Sequence, residues 1–476
     1  MRTNTTFKLN LVMACTALAL TSMAQAAYAE DEAVTEYTFL DSIMQGKPMT
    51  SFRLRYENVD QNGYQQQVSA PTTTNNKKLD TADAFTLRSL IGWQTAPFHN
   101  LSFAAQITDV HAFNDSYNDR RGNLTDPGNN NYANIVDPTF TDINQLYVDW
   151  TGIKNTKLRV GRQQVNLDNV RFIGDIGFRQ NMQVFDGVSV LNKSIPDTEI
   201  FAAHFDRVRQ VNTELRHGNI DIVNAKYRIS SSESFIGYGY FIDAANLSQN
   251  GTNASSPTAA STAALGGNGL GFSQDFKSTA TTDASSKTVG VRLDGVHKLD
   301  DHWKALYTAE YAKQDDYAGG SPLIDAHYYK VGGGAMYDAW SVRIDQEVLS
   351  SNNGKYAFQT PLGTNHLFQG WADQFLVTPR QGIEDTYVTF AGSIEKAKLY
   401  AEYHVFKSEE KFTTPTGTGD KYGTEFDASV TYPFTDKVLG KLEYAKFNED
   451  DIYGAVTGAA RKGDKEIIWA TAMYTF

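Results

Sequence analysis

From about residue 50 onward, the chain repeats segments of roughly ten residues in which apolar and polar side chains alternate. Between Trp303 and Tyr311 every second residue is apolar, and Lys304, Thr308 and Glu310 occupy three of the positions between them. Alternation with a period of two gives a β-strand one apolar and one polar face. The pattern therefore predicts strands that separate an apolar environment from an aqueous one.

The strands predicted in this way number about eighteen, and the connections between them alternate between short and long. Their predicted first residues are Ser51, Ala84, Asn100, Asp142, Thr156, Asn181, Thr198, Gly218, Ser234, Ser286, His302, Ala326, Ala339, Gly382, Ile394, Lys421, Lys437 and Asp464. A soluble β-sandwich also alternates, but its turns are less regularly unequal. We therefore predict an all-β fold, a transmembrane antiparallel β-barrel with short periplasmic turns and long extracellular loops.

Both ends of the chain agree with transport to a bacterial outer membrane. Residues 1–29 combine Arg2 and Lys8, an apolar stretch and small residues before Ala29, which predicts a secretory signal peptide. Residues 30–476 then form the barrel. The last strand ends at Phe476, as is typical of outer-membrane proteins.

The composition fits a barrel better than a soluble protein. Mean hydropathy is −0.43, yet 12% of the residues are aromatic. Several of these aromatic residues lie near strand ends, where rings would suit the two headgroup levels. A formal net charge of −12 argues against a nucleic-acid partner, and a single cysteine excludes a disulfide scaffold. Residues 250–285 are rich in Ser, Thr, Ala and Gly, which predicts a mobile extracellular loop.

No motif in the sequence predicts an enzyme. The nine histidines include no His-Glu-x-x-His spacing, and there is no Gly-x-Ser-x-Gly elbow. Haem attachment would need Cys-x-x-Cys-His, which is absent. We expect no catalytic residue, no bound metal and no cofactor.

Two blocks of sequence resemble a known family. The first is Leu158–Gln163 (LRVGRQ) with Phe185–Val188 (FDGV), and the second is Thr360–His366 (TPLGTNH) with Gln369–Phe375 (QGWADQF). Both are similar to motifs of the alginate export family of outer-membrane barrels, and the similarity spans most of the chain after the signal peptide. The resemblance implies a pore that is lined by arginine and carries an anionic uronic-acid polymer outward.

Alternation and the resemblance together select the candidate residues of the pore. The pore-lining and anion-binding candidates are Arg53, Arg55, Arg88, Arg159, Arg162, Arg171, Arg179, Arg228, Arg292, Arg343, Lys304, Glu310, Asp345 and Glu402. The planar guanidinium group suits carboxylates because it can bind them in a bidentate manner. Strict alternation turns Arg162 outward, and a bulge at Gly161 would turn it into the lumen. Because acids share this face, each arginine could equally be an ion-paired part of the wall.

The function predicted is passive passage of hydrophilic, anionic solutes or uronic-acid polysaccharide through the outer membrane. One alternative is a general or sugar-selective porin without anion preference. Another is a barrel that sheathes a partner redox protein. The expected partners are outer-membrane lipid, an anionic or sugar solute and a periplasmic export partner, and we expect a monomer.

Overall fold

The described part of the chain consists of nineteen strands and three short helical segments. The computed structural model describes residues 38–62, 79–119, 129, 131–249, 285–414, 417–454 and 463–476. The predicted signal peptide and residues 250–284 of the predicted mobile loop lie outside these residues. The strands are β1 (Lys47–Pro48), β2 (Ser51–Gln61), β3 (Ala82–Gln94), β4 (Leu101–Ala112), β5 (Phe140–Ile153), β6 (Thr156–Gln163), β7 (Val184–Asn192), β8 (Thr198–Arg209), β9 (Leu215–Ser230), β10 (Glu233–Gln249), β11 (Ser286–Lys298), β12 (Trp303–Asp316), β13 (Asp325–Tyr337), β14 (Trp340–Leu349), β15 (Ile383–Ile394), β16 (Ala397–Thr414), β17 (Gly417–Pro433), β18 (Val438–Glu449) and β19 (Lys465–Thr475). The helical segments are α1 (Phe39–Met44), a 3-10 turn (Asn365–Leu367) and α2 (Asp451–Gly454).

Strands β2 to β19 form a closed antiparallel barrel. Each strand pairs with its neighbour in sequence, and β19 pairs with β2 to close the ring. The two-residue strand β1 pairs with β3 beside the barrel. No helix in the described residues is both long and apolar enough to cross a membrane. The prediction of an all-β barrel of eighteen strands is confirmed.

The predicted strand starts agree with the observed ones to within four residues. The largest offset is at β17, which begins at Gly417 instead of Lys421. The agreement follows from the alternation itself, because the pattern persists only while one face stays in an apolar environment and the other in a polar one.

The two faces of the barrel have opposite polarity. On β2, Arg53 and Arg55 point into the barrel and are 1% and 0% exposed, whereas Leu54 and Tyr56 between them are 36% and 39% exposed. Charged groups inside and apolar groups outside are the reverse of a soluble protein and fit a lipid-facing surface. The side chains that matter for function therefore lie in the lumen.

Four tryptophans near strand ends lie at the same end of the barrel. Trp93, Trp150, Trp303 and Trp340 all lie where strands meet short turns. The sequence suggested aromatic residues at both headgroup levels. The aromatic residues behind that prediction, these four tryptophans among them, all lie in the described part of the chain and at the short-turn end of the strands.

Two glycines allow close approach of the backbones of β5 to β8. Gly161 of β6 pairs with Gly187 of β7, and their φ angles are +128° and +156°. A Cβ at Gly161 would meet the carbonyl of Leu146, and a Cβ at Gly187 would meet the carbonyl of His204. Both positions thus need glycine for conformation as well as for space.

Replacing Gly187 with alanine is expected to lower the free energy of unfolding by about 1–3 kcal/mol because a strained backbone must adapt. The midpoint of urea unfolding in lipid vesicles measures this effect. Gly237→Ala is the matched control, since a Cβ there meets nothing within 4 Å. Equal midpoints for the two variants would contradict the expectation.

Candidate functional site

Two long connections fold into the lumen. They are inner loop A, residues 164–183 between β6 and β7, and inner loop B, residues 350–382 between β14 and β15. Arg55 of β2 donates to a carbonyl of inner loop A at 2.6 Å, and Asn224 of β9 donates to one of its carboxylates at 2.6 Å. Gln314 of β12 donates to a carbonyl of inner loop B at 2.9 Å. Because these wall residues lie on well-separated strands, the loops cross the lumen.

The two inner loops also pack against each other. The backbone N–H of Thr364 donates to the carbonyl of Val170 at 2.9 Å. The ring of Phe178 stacks on His366 with 3.4 Å between the ring centroids. A single internal assembly of both loops therefore narrows the barrel.

Arg179 of inner loop A joins both loops to the wall. Its guanidinium lies 3.1 Å from Glu57 of β2, 3.8 Å from Asp137 and 3.0 Å from Asp373 of inner loop B. All four side chains are at most 10% exposed. Through these three carboxylates, Arg179 holds inner loop A against inner loop B and against the barrel wall.

Arg171 of inner loop A also joins both loops to the wall, on another side of the lumen. Its Nε lies 2.7 Å from Glu347 of β14, and both side chains are 1% exposed. Its Nη2 donates to the side-chain oxygen of Gln369 in inner loop B at 2.9 Å. Both Arg171 and Arg179 thus belong to the inner loops; from the sequence, both were pore-lining and anion-binding candidates.

Arg53, Arg55 and Arg88 form what we call the arginine cluster. Arg53 of β2 lies directly opposite Arg88 of β3, and all three side chains are buried. Arg53 and Arg55 donate to backbone carbonyls of inner loop A. Within the described residues none of the three forms an ion pair with a carboxylate, and Nη2 of Arg55 and Nε and Nη1 of Arg88 have no hydrogen-bond acceptor.

Most other candidate arginines are ion-paired within the wall. Arg292 donates to Asp294 and lies 3.4 Å from Glu310, and Arg343 lies 2.6 Å from Asp345. Arg159 likewise lies 2.6 Å from Asp149. These pairs leave little positive charge for a passing solute.

Arg162 lies on the outward register of β6. It pairs with Leu146 of β5, which is 51% exposed, and the ladders of β6 contain no register shift at Gly161. The bulge suggested from the sequence is therefore absent. Its guanidinium instead forms ion pairs with Asp186 and Asp142 at 2.7 and 3.1 Å.

Two basic candidates lie near the short-turn end of the lumen. Lys304 is on the same face of β12 as the buried Glu310, and it is partly buried. Arg228 of β9 is exposed and lies opposite Ser234 of β10. Neither forms an ion pair within the described residues, so both can add positive charge at this opening.

Comparisons with known proteins agree with this architecture. Residues 50–364 match the family described as alginate export. The chain belongs to the alginate export family. A comparison with curated proteins finds no match.

Solved structures of Pseudomonas aeruginosa proteins share the fold of this alginate export family protein. It is similar to OpdQ with 12% identity and a TM-score of 0.61, covering 92% of this chain and 99% of OpdQ. OpdO gives 11% identity, a TM-score of 0.61 and coverage of 92% and 99%. OpdK, an outer-membrane protein whose structure was determined with vanillate, gives 11% identity, a TM-score of 0.59 and coverage of 90% and 98%. The family match and the closed barrel together identify the protein as an outer-membrane channel, and the alginate export family is not a family of enzymes.

The wall of this alginate export family channel carries a buried group that the sequence did not single out. We call Asp385, Glu402, His404, Glu425 and Asp427 the carboxylate–histidine cluster; its members lie on β15, β16 and β17. Glu402 was a pore candidate, but His404 was set aside because no helical metal motif contains it. The sequence does contain a signal for this cluster: the spacing Glu-x-His on β16 and the spacing Glu-x-Asp on the paired strand β17. Together they place four side chains on one face of the sheet.

The contacts of Asp373 with its two partners predict that the packing of the inner loops weakens only at low pH. Burial alone would raise the pKa of Asp373, but His366 at 2.8 Å and Arg179 at 3.0 Å hold the pKa below its usual value. Because the folded pKa is depressed, this stabilisation is complete above the usual value and is lost as the pH falls through the folded pKa. Hydrogen exchange of inner loop A should therefore stay slow down to about pH 4 and rise only below it.

Asp373→Asn is the comparison for this pH series. Without an ionisable group, the variant should show faster exchange at neutral pH and a smaller change on acidification. A wild-type channel whose inner loops loosen already between neutral pH and about pH 5 would contradict the assignment.

Proposed function

We propose that the channel passes carboxylate-bearing solutes, uronic acids and their short chains among them, along the arginine cluster. The observation that carries the proposal is the absence of any carboxylate ion pair for Arg53, Arg55 and Arg88 in the described residues, although all three are buried. Buried like charges are costly unless an anion accompanies them. A solute carboxylate in the lumen can supply that charge.

Acidic residues on another part of the lumen wall limit how tightly such a solute binds. Strands β16 and β17 carry Glu402, Glu425 and Asp427 on the lumen face. A channel must attract its solute and also release it. Acids elsewhere on the same wall serve release, because they repel a carboxylate that leaves the arginines.

Other observations bear on the alternatives. OpdK was crystallised with vanillate, a small carboxylate, which favours a small anion by analogy of fold. The sheath for a redox protein is disfavoured because inner loops A and B occupy the lumen. A porin without anion preference remains the outcome to test against.

Swelling of liposomes that contain the purified channel tests the proposal. Galacturonate should enter faster than galactose, which has a similar ring but no charge. Arg88→Gln should slow galacturonate and leave galactose nearly unchanged, because it removes a cation without removing an ion pair. Lys396→Gln, in the exposed turn between β15 and β16, is the control and should behave as wild type.

Equal entry of the two sugars into wild-type liposomes would favour the general porin. Faster galactose entry would contradict the proposal outright. Swelling by neither solute would support a barrel that needs a partner.

A further inference from the structure

Three side chains of the carboxylate–histidine cluster converge in the lumen wall. Glu402 and His404 of β16 and Asp427 of β17 lie with their ligand atoms within 4.8 Å of one another. In the ladder Glu402 is opposite Asp427, and His404 is the next lumen-facing residue of β16. All three are buried.

His404 points a free nitrogen at the two carboxylates. Its Nε2 lies 3.4 Å from Oε2 of Glu402 and 3.6 Å from Oδ2 of Asp427, and it has no hydrogen-bond partner. Oδ1 of Asp427 and Oε2 of the neighbouring Glu425 also have none. His404 is 2% exposed, so water does not readily satisfy this nitrogen.

The second sphere of contacts fixes these orientations. Both carboxylate oxygens of Asp385 lie 3.0 Å from Nδ1 of His404, which favours a proton on Nδ1 and a lone pair on Nε2. Thr389 donates to Oε1 of Glu402 at 2.7 Å, and Tyr400 donates to the same oxygen. Oε2 of Glu402 is thereby left for another ligand. A histidine oriented by a carboxylate is the usual second shell of a metal site.

The charge of the cluster also calls for a cation. Asp385, Glu402, Glu425 and Asp427 are at most 7% exposed, and in the described residues no lysine or arginine forms an ion pair with them. Imidazole is their only basic partner there. Burying carboxylates without enough positive charge costs several kcal/mol for each ion.

We propose that Glu402, His404 and Asp427 bind a divalent metal ion, and that this ion is Zn²⁺. A tetrahedral zinc ion with ligands at about 2.0–2.1 Å separates its donor atoms by about 3.3–3.4 Å. The distance of 3.4 Å from Nε2 of His404 to Glu402 matches that spacing, and the distance of 3.6 Å to Asp427 is slightly longer. One imidazole with carboxylates suits Zn²⁺, whereas Ca²⁺ prefers oxygen ligands alone.

A bound ion would also act on inner loop B. The N–H of Trp371 donates to Oδ2 of Asp427 at 3.2 Å, and the N–H of Ala372 donates to Oε1 of Glu425 at 2.5 Å. The metal would hold Asp427 against the loop. It would also add positive charge to the acidic side of the channel.

Metal binding by the purified, detergent-solubilised channel tests this inference. After treatment with a chelator, Zn²⁺ is titrated by calorimetry in parallel with Mn²⁺ and Ca²⁺. Wild type should bind Zn²⁺ with a stoichiometry of about one per chain. Asp385→Asn should weaken binding by about 10–100-fold, because it frees the orientation of His404.

His404→Gln and Asp427→Asn should each abolish this binding, and two variants guard against one that fails to fold. His366→Gln is the matched control, since His366 is also buried beside one aspartate and contributes to no group of three such ligands in the described residues. Absence of Zn²⁺ binding in wild type, equal binding by His404→Gln, or binding of Ca²⁺ alone would each overturn the proposal.

Discussion

Replacing Arg179 with methionine is expected to release both inner loops from the wall. The variant leaves Glu57, Asp137 and Asp373 buried around an uncharged side chain. Breaking a buried ion pair by removing one partner costs about 3–5 kcal/mol. Because the cost falls on contacts of the loops, we expect faster hydrogen exchange over residues 164–183 and a larger, noisier single-channel conductance.

Arg159→Met is the control for this experiment. This variant also breaks an ion pair with a carboxylate, Asp149, but that pair contacts neither inner loop. Its exchange over residues 164–183 should match wild type. Unchanged exchange and conductance in Arg179→Met would show that Arg179 does not hold the inner loops.

A second large effect is expected at the pair of Arg171 and Glu347. Either Arg171→Met or Glu347→Met alone strands a charge in a site where both side chains are 1% exposed, which should cost about 3–5 kcal/mol. The double variant replaces both charges by apolar groups and should recover most of that loss. Urea unfolding in lipid vesicles of wild type, both single variants and the double variant gives the coupling energy.

Strict additivity would contradict this account, because it would mean that the two residues do not interact. Lys330 lies near enough to Glu347 to influence it electrostatically. We therefore expect the loss in Arg171→Met to be the smaller of the two single losses. The opposite order would show that Lys330 does not compensate the charge of Glu347.

The barrel could be predicted from the sequence because its cause is local. A strand between lipid and water must alternate at every second residue, so each strand carries its own signal. Whether a long connection folds into the lumen depends instead on tertiary packing. Inner loops A and B resemble other long connections in length, and their contacts join residues as far apart as Arg171 and Gln369.

Composition held a signal for the inner loops that alternation does not use. Inner loop A contains Phe172, Ile173 and Phe178, and inner loop B contains Trp371 and Phe375, all of which are buried. Residues 250–285, by contrast, are rich in small and polar side chains. A long connection with several large apolar residues needs a place to bury them, and the lumen provides it.

The sequence predicts which face of the strands carries the candidate site. It does not predict which side chains on that face pair with one another. Alternation puts Arg53, Arg55 and Arg88 on the polar face of their strands, and in the structure all three are buried inside the barrel. It could not tell them from Arg292 and Arg343, which lie on the same kind of face but have carboxylates in reach. The difference depends on which side chains meet across the ladders and loops.

The zero-current potential of the reconstituted channel across a KCl gradient is the most direct test of the arginine cluster as the solute path. The account predicts a potential that reports preference for Cl⁻, and a loss of most of that preference in the triple variant Arg53→Gln, Arg55→Gln, Arg88→Gln. The preference should be stronger at low salt, because the screening length falls from about 30 Å at 0.01 M to about 3 Å at 1 M. Preference for K⁺ in the wild-type channel, or a potential that the triple variant leaves unchanged, would contradict it.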